Sequence, residues 1–281
     1  MKPAPFRYAA PRSLAEALAL LAGPEEATAL AGGQSLVPML NFRLARPELV
    51  VDLNPLAAEL GGITITPEGD LRLGALTRHV ELERSVEIAA GWPLLIDAVA
   101  LVGHAAIRTR GTVGGSVAHA DPNAELPVAL AALGARFQVR SAAGARTLSS
   151  AELADGPLTT TLAEGELLCA IEVPALPAGA GSAFCEYART HGDFALAGAA
   201  VVIAPGAADA CAVALLGAAG TPVRAAEAEA ALAAGAPDAE VAALAAAAVT
   251  GHRDDGGHQR ALIGAMTARA LARARERMSA P

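Results

Sequence analysis

Two short glycine-bearing segments, about eighty residues apart, carry the strongest chemical signal in the sequence. They read Ala31-Gly32-Gly33-Gln34-Ser35-Leu36 and Gly111-Thr112-Val113-Gly114-Gly115-Ser116. Adjacent glycines let backbone N–H groups approach a ligand closely, because no Cβ stands in the way. Several converging N–H groups form a concavity that suits an anion such as a phosphate. Two such segments predict loops that hold a diphosphate from both sides, and therefore a dinucleotide cofactor.

The first segment falls between a predicted strand at 27–31 and a predicted helix at 35–43. The N-terminus of that helix would add its dipole to the free N–H groups, and Gln34 and Ser35 could add side-chain donors. An ordinary strand–helix turn has the same pattern and, for this segment alone, is the commoner explanation. The spacing matches neither G-x-G-x-x-G nor G-x-x-x-x-G-K-[ST], so neither Rossmann nor P-loop binding is indicated.

The second segment has charged residues on both sides. Arg108 and Arg110 precede it as cations beside the predicted anion site, and Asp121 and Glu125 follow it as acceptors for ribose or ribityl hydroxyls. The dipeptide that begins at Asp121 would equally suit the start of a helix. No second His or Cys lies near His119, which favours a structural role for it over a metal site.

A third polar cluster lies at 187–195, where Arg189, His191 and Asp193 stand close together. One interpretation is a solvated turn in which Gly192 supplies a positive φ. The other is a loop that reaches back over the cofactor. The residues alone favour the turn.

The elements around these segments predict an α+β fold. Strand, helix and strand alternate over 27–53, and hairpins are predicted at 62–74 and 136–148. A strand at 167–173 leads into a proline–glycine linker at 174–181, the expected domain boundary. Beyond it the pattern predicts three strands, two alanine-rich helices and a last helix that starts near Asp254 or Asp255, with Arg269 and Arg273 on its outer face. The strands are expected at 182–189, 196–204 and 210–216, and the alanine-rich helices at 225–234 and 239–249.

Composition narrows the class of protein. The net charge of the 281-residue chain is −8, which argues against nucleic-acid binding because that requires a basic surface. The three cysteines lack the spacing of a metal site or a disulfide framework, so we expect no bound metal and a reducing, cytoplasmic location. The most apolar stretch, 194–220, is broken by Pro205, Gly206 and Asp209, so no integral membrane segment is expected.

Three segments together resemble one known family. Residues 31–47 are similar to the first FAD motif of molybdenum hydroxylase flavoprotein subunits, the medium subunits of the carbon monoxide dehydrogenase and xanthine dehydrogenase family. Residues 107–127 resemble their second FAD motif. Residues 187–195 resemble the aromatic–Arg–x–x–Gly–Asp–aromatic stretch that opens their C-terminal domain. The three occur in the family's order and spacing.

The resemblance implies a fold and a cofactor site. It implies a two-lobed FAD-binding domain of the vanillyl-alcohol oxidase type at 1–176, with lobes at about 1–55 and 56–176. A small α+β domain with a three-stranded sheet and helices would follow at 177–281. Leu168 would pack beside the flavin, and Phe194 would lie near the isoalloxazine without the hydroxyl of the tyrosine often found there. The FAD-contacting residues would be Ala31, Gly32, Gly33, Gln34, Ser35, Leu36, Gly111, Thr112, Val113, Gly114, Gly115, Ser116, Asp121, Glu125, Leu168, Asp193 and Phe194.

The resemblance also implies a role in electron transfer. Electrons would pass from an iron–sulfur subunit to FAD in this chain and then to an external acceptor, and no residue of the chain would be catalytic. The molybdenum cofactor and the 2Fe-2S clusters would belong to a large and a small partner subunit, in a dimer of heterotrimers. Two alternatives remain open: a free-standing FAD-dependent reductase or oxidase on the same fold, and a non-catalytic nucleotide-binding module.

Overall fold

The computed structural model describes residues 2–250 and 257–278. Its N-terminal segment contains a parallel three-stranded sheet in the order β1-β3-β2. The side chain of Ser13 accepts a hydrogen bond from the Glu16 N–H and caps the first helix, whose buried residues recur at helical spacing. The elements are β1 (Arg7–Ala9), α1 (Leu14–Leu21), β2 (Ala27–Leu30), α2 (Leu36–Asn41), β3 (Leu49–Asp52) and α3 (Ala57–Leu60).

The middle segment is built on an antiparallel five-stranded sheet, whose outer hairpins are the two predicted from the sequence. Its strands are β4 (Ile63–Ile65), β5 (Leu71–Gly74), β6 (Arg136–Ser141), β7 (Gly144–Ser149) and β10 (Leu167–Val173), with a short separate pair, β8 (Ala154–Gly156) and β9 (Thr159–Thr160). Its helices are α4 (His79–Arg84), α5 (Val86–Gly91), α6 (Pro93–Leu101), α7 (Ala105–Arg108), α8 (Val113–His119), α9 (Glu125–Ala132) and α10 (Ser150–Leu153).

The C-terminal segment packs helices on one face of an antiparallel sheet. The three long strands predicted from the sequence are present, and a two-residue strand adds a fourth at the edge, in the order β11-β12-β13-β14. The predicted start of the last helix lies outside the described residues. The elements are β11 (Gly181–Tyr187), β12 (Ala197–Ile203), β13 (Ala212–Leu216), β14 (Val223–Arg224), α11 (Ala226–Ala233), α12 (Asp238–Ala247) and α13 (His258–Met278).

The C-terminal sheet is buried on both faces. Along β12, Ala199 and Val201 pack into the core beneath α11, α12 and α13, whereas Ala200 and Val202 pack into the core of the middle segment. Successive side chains of a strand point to opposite faces. A strand that is apolar throughout therefore joins two cores, and the C-terminal segment shares its interior with the middle one.

A buried carboxylate ties the middle segment to the last helix. Asp97 on α6 receives a bidentate contact from Arg277 (2.7 and 2.9 Å) and a third contact from Arg273 (2.9 Å). It also accepts the N–H of Phe184 on β11 at 3.2 Å. Arg273, expected on the outer face beside Arg269, is exposed as predicted, but its guanidinium also reaches Asp97.

The single tryptophan makes a second contact at the boundary between the middle and C-terminal segments. Trp92 is 5% exposed and donates its indole N–H to the carbonyl oxygen of Pro174 at 2.8 Å. Pro174 directly follows β10 and opens the proline–glycine stretch that leads to β11. The indole therefore anchors the chain where it leaves the middle segment.

Candidate cofactor site

A large cleft lies between the N-terminal and middle segments, with about 2110 Å³ of empty space that includes part open to solvent. The two glycine segments and the loop before β12 contribute to its wall. The residues predicted from the sequence that line it are Ala31, Gly32, Gly33, Gln34, Ser35, Leu36, Gly111, Thr112, Gly114, Gly115, Ser116, Asp121, Glu125, Leu168, Asp193 and Phe194. Val113 is fully buried in the core of the middle segment and does not line the cleft.

The first glycine segment presents unused backbone donors to the cleft. Among the described residues, none accepts a hydrogen bond from the N–H of Gly32, Gly33, Gln34 or Ser35. Gly33 has φ +74°, in the left-handed region that favours glycine. The side chain of Gln34 donates to the carbonyl oxygen of Gly32 at 3.2 Å and so braces the loop. This segment can hold an anion with its backbone.

The second glycine segment differs from the predicted loop. Only Gly111 and Thr112 precede α8, and Gly114 to Ser116 form its first turns, with Thr112 as the N-cap. Several amides are already used: the N–H of Gly114 donates to Ala75 at 2.8 Å, and that of Gly115 to the Thr112 hydroxyl at 3.1 Å. A Cβ at position 114 would overlap the backbone of Ala75. Here glycine allows close packing of α8 against the end of β5.

The acidic residues after α8 stand in different environments. Asp121 opens a turn, since its carboxylate accepts the N–H of Asn123 at 2.8 Å, and the helix starts only at Glu125. Glu125 is 7% exposed, and burial, with a smaller effect of Asp121, raises its pKa to about 7. On β11, burial and the charge of Glu125 raise the pKa of Glu186 to about 8. The Oε2 atom of Glu186 is buried without a partner among the described residues.

The predicted role of Arg108 is wrong, whereas that of Arg110 stays a prediction. Arg108 is buried and forms a bidentate pair with Glu83 (2.9 and 3.0 Å), so it cannot serve an anion in the cleft. Arg110 is exposed, but it does not line the cleft. The backbone amides of the first glycine segment are therefore the better candidates for the anion site.

Sequence reasoning missed several lining residues, of which His79 is the most informative. His79 is 4% exposed, and neither ring nitrogen has a hydrogen-bond partner among the described residues. Burial lowers its pKa to about 4, so the imidazole is neutral at pH 7. Its ring lies directly against Gly111, where a Cβ would overlap it. No motif surrounds His79 in the sequence, so only the fold brings it to the site.

The segment at 187–195 forms the predicted turn and also reaches the wall of the cleft. Gly192 has φ +80°, as expected for a turn, and Arg189 and His191 are exposed. Gly192 also approaches the backbone of Gly103 so closely that a Cβ would overlap it. The turn therefore reaches across to the middle segment, and Phe194, 66% exposed, stands at the wall of the cleft.

The residues fit a dinucleotide flavin. The unpaired amides of the first segment suit a phosphate, and Asp121 and Glu125 suit hydroxyl groups. Leu168, buried at 4% exposure, and Phe194 offer apolar contacts for a ring system. Within the described part of the chain, no three His, Cys, Asp or Glu side chains are grouped as a metal site requires. Fold and cleft together define a class of α+β protein with a cleft suited to a nucleotide cofactor.

Comparison with known proteins narrows this class to a family. The model of the FAD binding domain in molybdopterin dehydrogenase matches residues 4–176, so the chain belongs to this family. It is an FAD-binding subunit of a molybdenum hydroxylase-type dehydrogenase, as the resemblance implied, and therefore an FAD-dependent oxidoreductase subunit.

The similar proteins belong to multi-subunit dehydrogenases. Subunit alpha of the 6-hydroxypseudooxynicotine dehydrogenase complex of Paenarthrobacter nicotinovorans is 43% identical over 82% of this chain and 78% of its own length. Caffeine dehydrogenase subunit beta of Pseudomonas sp. (strain CBB1) is 45% identical over 72% of this chain and 69% of its own length. A chain of carbon monoxide dehydrogenase from Hydrogenophaga pseudoflava, in a structure that lacks the Mo-pyranopterin moiety of the molybdenum cofactor, superimposes with a TM-score of 0.92 at 37% identity and covers 99% of both chains.

In the part of the chain that the structure describes, no helix is both long enough and apolar enough to cross a bilayer.

Proposed function

We propose that this chain holds FAD in the cleft and passes electrons from an iron–sulfur subunit to an external acceptor, as one subunit of a cytoplasmic molybdenum hydroxylase. Large and small partner subunits would carry the molybdenum cofactor and the 2Fe-2S clusters, in a dimer of heterotrimers. The observation that carries the proposal is the cleft itself, which in a member of this family unites the three separate sequence motifs. We also propose a domain division at residues 176 and 177.

The chain's own residues would bind and orient the cofactor. The N–H groups of residues 32–35 would donate to the diphosphate, and residues 111–116 would close the cleft against it. Asp121 and Glu125 would meet hydroxyl groups, while Leu168, Asp193 and Phe194 would flank the ring system. When bound, FAD supplies the isoalloxazine that accepts and releases electrons, a reaction no amino-acid side chain performs. None of these residues needs to act as an acid or a base on a substrate.

One purification separates this function from its alternatives. The chain expressed alone is expected to be yellow, to release one FAD per polypeptide, and to show no unaided turnover of NAD(P)H with a substrate. Isolated from its native source, it should copurify with two other subunits. The substrate of that complex should reduce its flavin, seen as a loss of the yellow absorbance. Unaided turnover of NAD(P)H and a substrate would instead identify a free-standing reductase. A colourless protein whose stability does not change when FAD is added would contradict cofactor binding.

A further inference from the structure

The two glycine segments touch each other at the back of the cleft. A Cβ on Gly32 would overlap the carbonyl oxygen of Arg110, immediately before Gly111. The contact is therefore backbone against backbone, and it joins the N-terminal segment to the middle one. Within the described residues no hydrogen bond joins the two segments directly, and polar side chains bridge them instead.

Asn54 holds the N-terminal side of the contact. It follows β3, and its Nδ2 donates to the carbonyl oxygen of Ala31 at 3.0 Å. Its own N–H donates to Asp52 at 2.9 Å, and the Tyr8 hydroxyl donates to the same carboxylate at 2.5 Å. Burial alone would raise the pKa of Asp52, but the hydrogen bonds from Tyr8 and Asn54 hold it below its ordinary value. The Asn54 side chain is oriented by these two acceptors, since its Nδ2 also donates to Oδ1 of Asp52.

Arg78 holds the other side. It is half-buried immediately before α4, and its Nη2 donates to Oδ1 of Asn54 at 2.6 Å. Its Nη1 donates to the carbonyl oxygen of Arg110. The backbone around it is fixed as well, since its N–H donates to Glu81 at 2.6 Å and the next N–H, that of His79, donates to Gly111 at 3.0 Å.

We propose that Arg78 and Asn54 form a positioning bridge that holds the two glycine segments in register for the cofactor. This Asn54–Arg78 bridge runs from the Ala31 carbonyl to the Arg110 carbonyl. It rests on the proposed function, because its purpose is to prepare the FAD site. Groups that are ordered before binding lower the entropic cost that the ligand must offset. The bridge therefore acts on cofactor affinity without touching the reacting atoms.

The planar guanidinium explains why arginine occupies this position. Its separate N–H donors reach two acceptors in a fixed fork, whereas a lysine ammonium is a compact point charge on a flexible stem. Lysine at position 78 would keep the charge and lose the fixed span between the two carbonyl-bearing loops. The conservative replacement therefore separates the effect of geometry from that of charge.

The test compares FAD binding by the full apo chain and its variants, Arg78→Met, Arg78→Lys, Asn54→Ala and the double variant Arg78→Met/Asn54→Ala. Hydrogen bonds to a charged group contribute enough for Arg78→Met to weaken FAD binding by about 10- to 100-fold. Arg78→Lys should stay closer to Arg78→Met than to the wild type. The double variant should bind FAD about as well as either single variant, because each single substitution already breaks the bridge and the second has nothing further to remove. Flavin fluorescence titration gives each Kd.

Arg84→Met is the matched control, since Arg84 is exposed at the far end of α4, the helix that Arg78 precedes. Its Kd should remain within about twofold of the wild type. Wild-type affinity in Arg78→Met would overturn the bridge, as would losses that multiply in the double variant. Should Arg78→Met fail to fold, Arg78→Lys and Asn54→Ala carry the same comparison. A wild-type chain that binds no FAD would overturn the proposed function as well, whereas normal binding by every variant would overturn the bridge alone.

Discussion

Gly33 and Gly179 share one backbone conformation and differ in everything around it. Both have φ +74°, but Gly33 lies in the cleft between Leu30 and Val37, and Gly179 has no neighbour within 4 Å of a Cβ position. Alanine at either site should lose about 1–2 kcal/mol of stability to the left-handed conformation. Only Gly33→Ala should also weaken FAD binding, by about tenfold, because its loop must shift the amides that meet the diphosphate.

Measuring the Kd for FAD and the melting temperature of both variants tests this assignment. Gly179→Ala serves as the control, since it shares the strain and lies outside the cleft. Equal FAD affinity in the two variants would show that the first glycine segment does not bind the cofactor.

The carboxyls of Glu125 and Glu186 make stability depend on pH. Burial raises their pKa values to about 7 and about 8, above the ordinary value of 4.5. The folded apo chain therefore binds more protons than the unfolded chain between about pH 4.5 and 8, and its free energy of unfolding falls as pH rises through that window. Glu186→Gln should flatten this fall and raise stability at pH 8 relative to the wild type.

Urea unfolding of the apo chain at several pH values from 5 to 9 measures the effect. Glu227→Gln provides the control, because Glu227 is an exposed carboxyl on α11. A wild-type profile that parallels that of Glu186→Gln would contradict a buried, unpartnered carboxyl at position 186.

At the residue scale, the sequence motifs predicted the residues that line the cleft, but not the polar residues that support the lining. Paired glycines, and the acidic residues that follow the second pair, can be recognised in a sequence because they lie close together along the chain. Asn54, Arg78 and His79 are single polar residues that meet the glycine segments only through contacts distant in the chain, so no spacing reveals them. Arg108 was misjudged for the same reason, since its partner Glu83 lies on another helix.

At the level of elements, the observed hairpins and apolar strands lie close to the positions predicted from the sequence. β10 has the predicted bounds, and β12 differs from its prediction by one residue at each end. β1 was missed because three residues pair with β3 only once the sheet exists. Helix α8 was missed because two adjacent glycines disfavour a helix. Only the packed structure shows that Gly114 lies tightly against Ala75.

The ion cluster that joins α6 to α13 should contribute to stability. Asp97 is 8% exposed and meets two arginines and a backbone N–H. Asp97→Asn leaves both guanidinium groups without a counter-charge, and we expect a loss of about 2–3 kcal/mol, less than for a fully buried pair because the arginines are partly exposed. Denaturant unfolding of the full chain measures it.

Asp238→Asn is the natural comparison, because both carboxylate oxygens of Asp238 accept hydrogen bonds from an arginine of α13, Arg275. Both of those side chains are partly exposed, so its loss should be within about 1 kcal/mol. Equal losses in the two variants would mean that the Asp97 cluster contributes no more than a surface pair.

For the whole molecule, the shared core limits where the chain can be cut. Phe184, Ala200, Val202 and Leu216 pack against the middle segment, so a chain truncated after Leu176 would expose the apolar surface that they cover. Such exposed apolar surface favours association. We expect the truncated chain to aggregate on size-exclusion chromatography under conditions that keep the full chain monodisperse. A monodisperse fragment that binds FAD would contradict this expectation.

The buried indole at the junction has an optical consequence. With one tryptophan in the sequence, the intrinsic emission of the chain above 300 nm comes mainly from a single known point, where Trp92 meets Pro174. Flavins absorb in the range where tryptophan emits, so cofactor in the cleft should quench this emission by energy transfer. The wavelength of the remaining light reports whether water has entered the seam between the middle and C-terminal segments. The intensity of Trp92 emission would thus report FAD binding, and its wavelength would report separation of the middle and C-terminal segments, both in unlabelled protein.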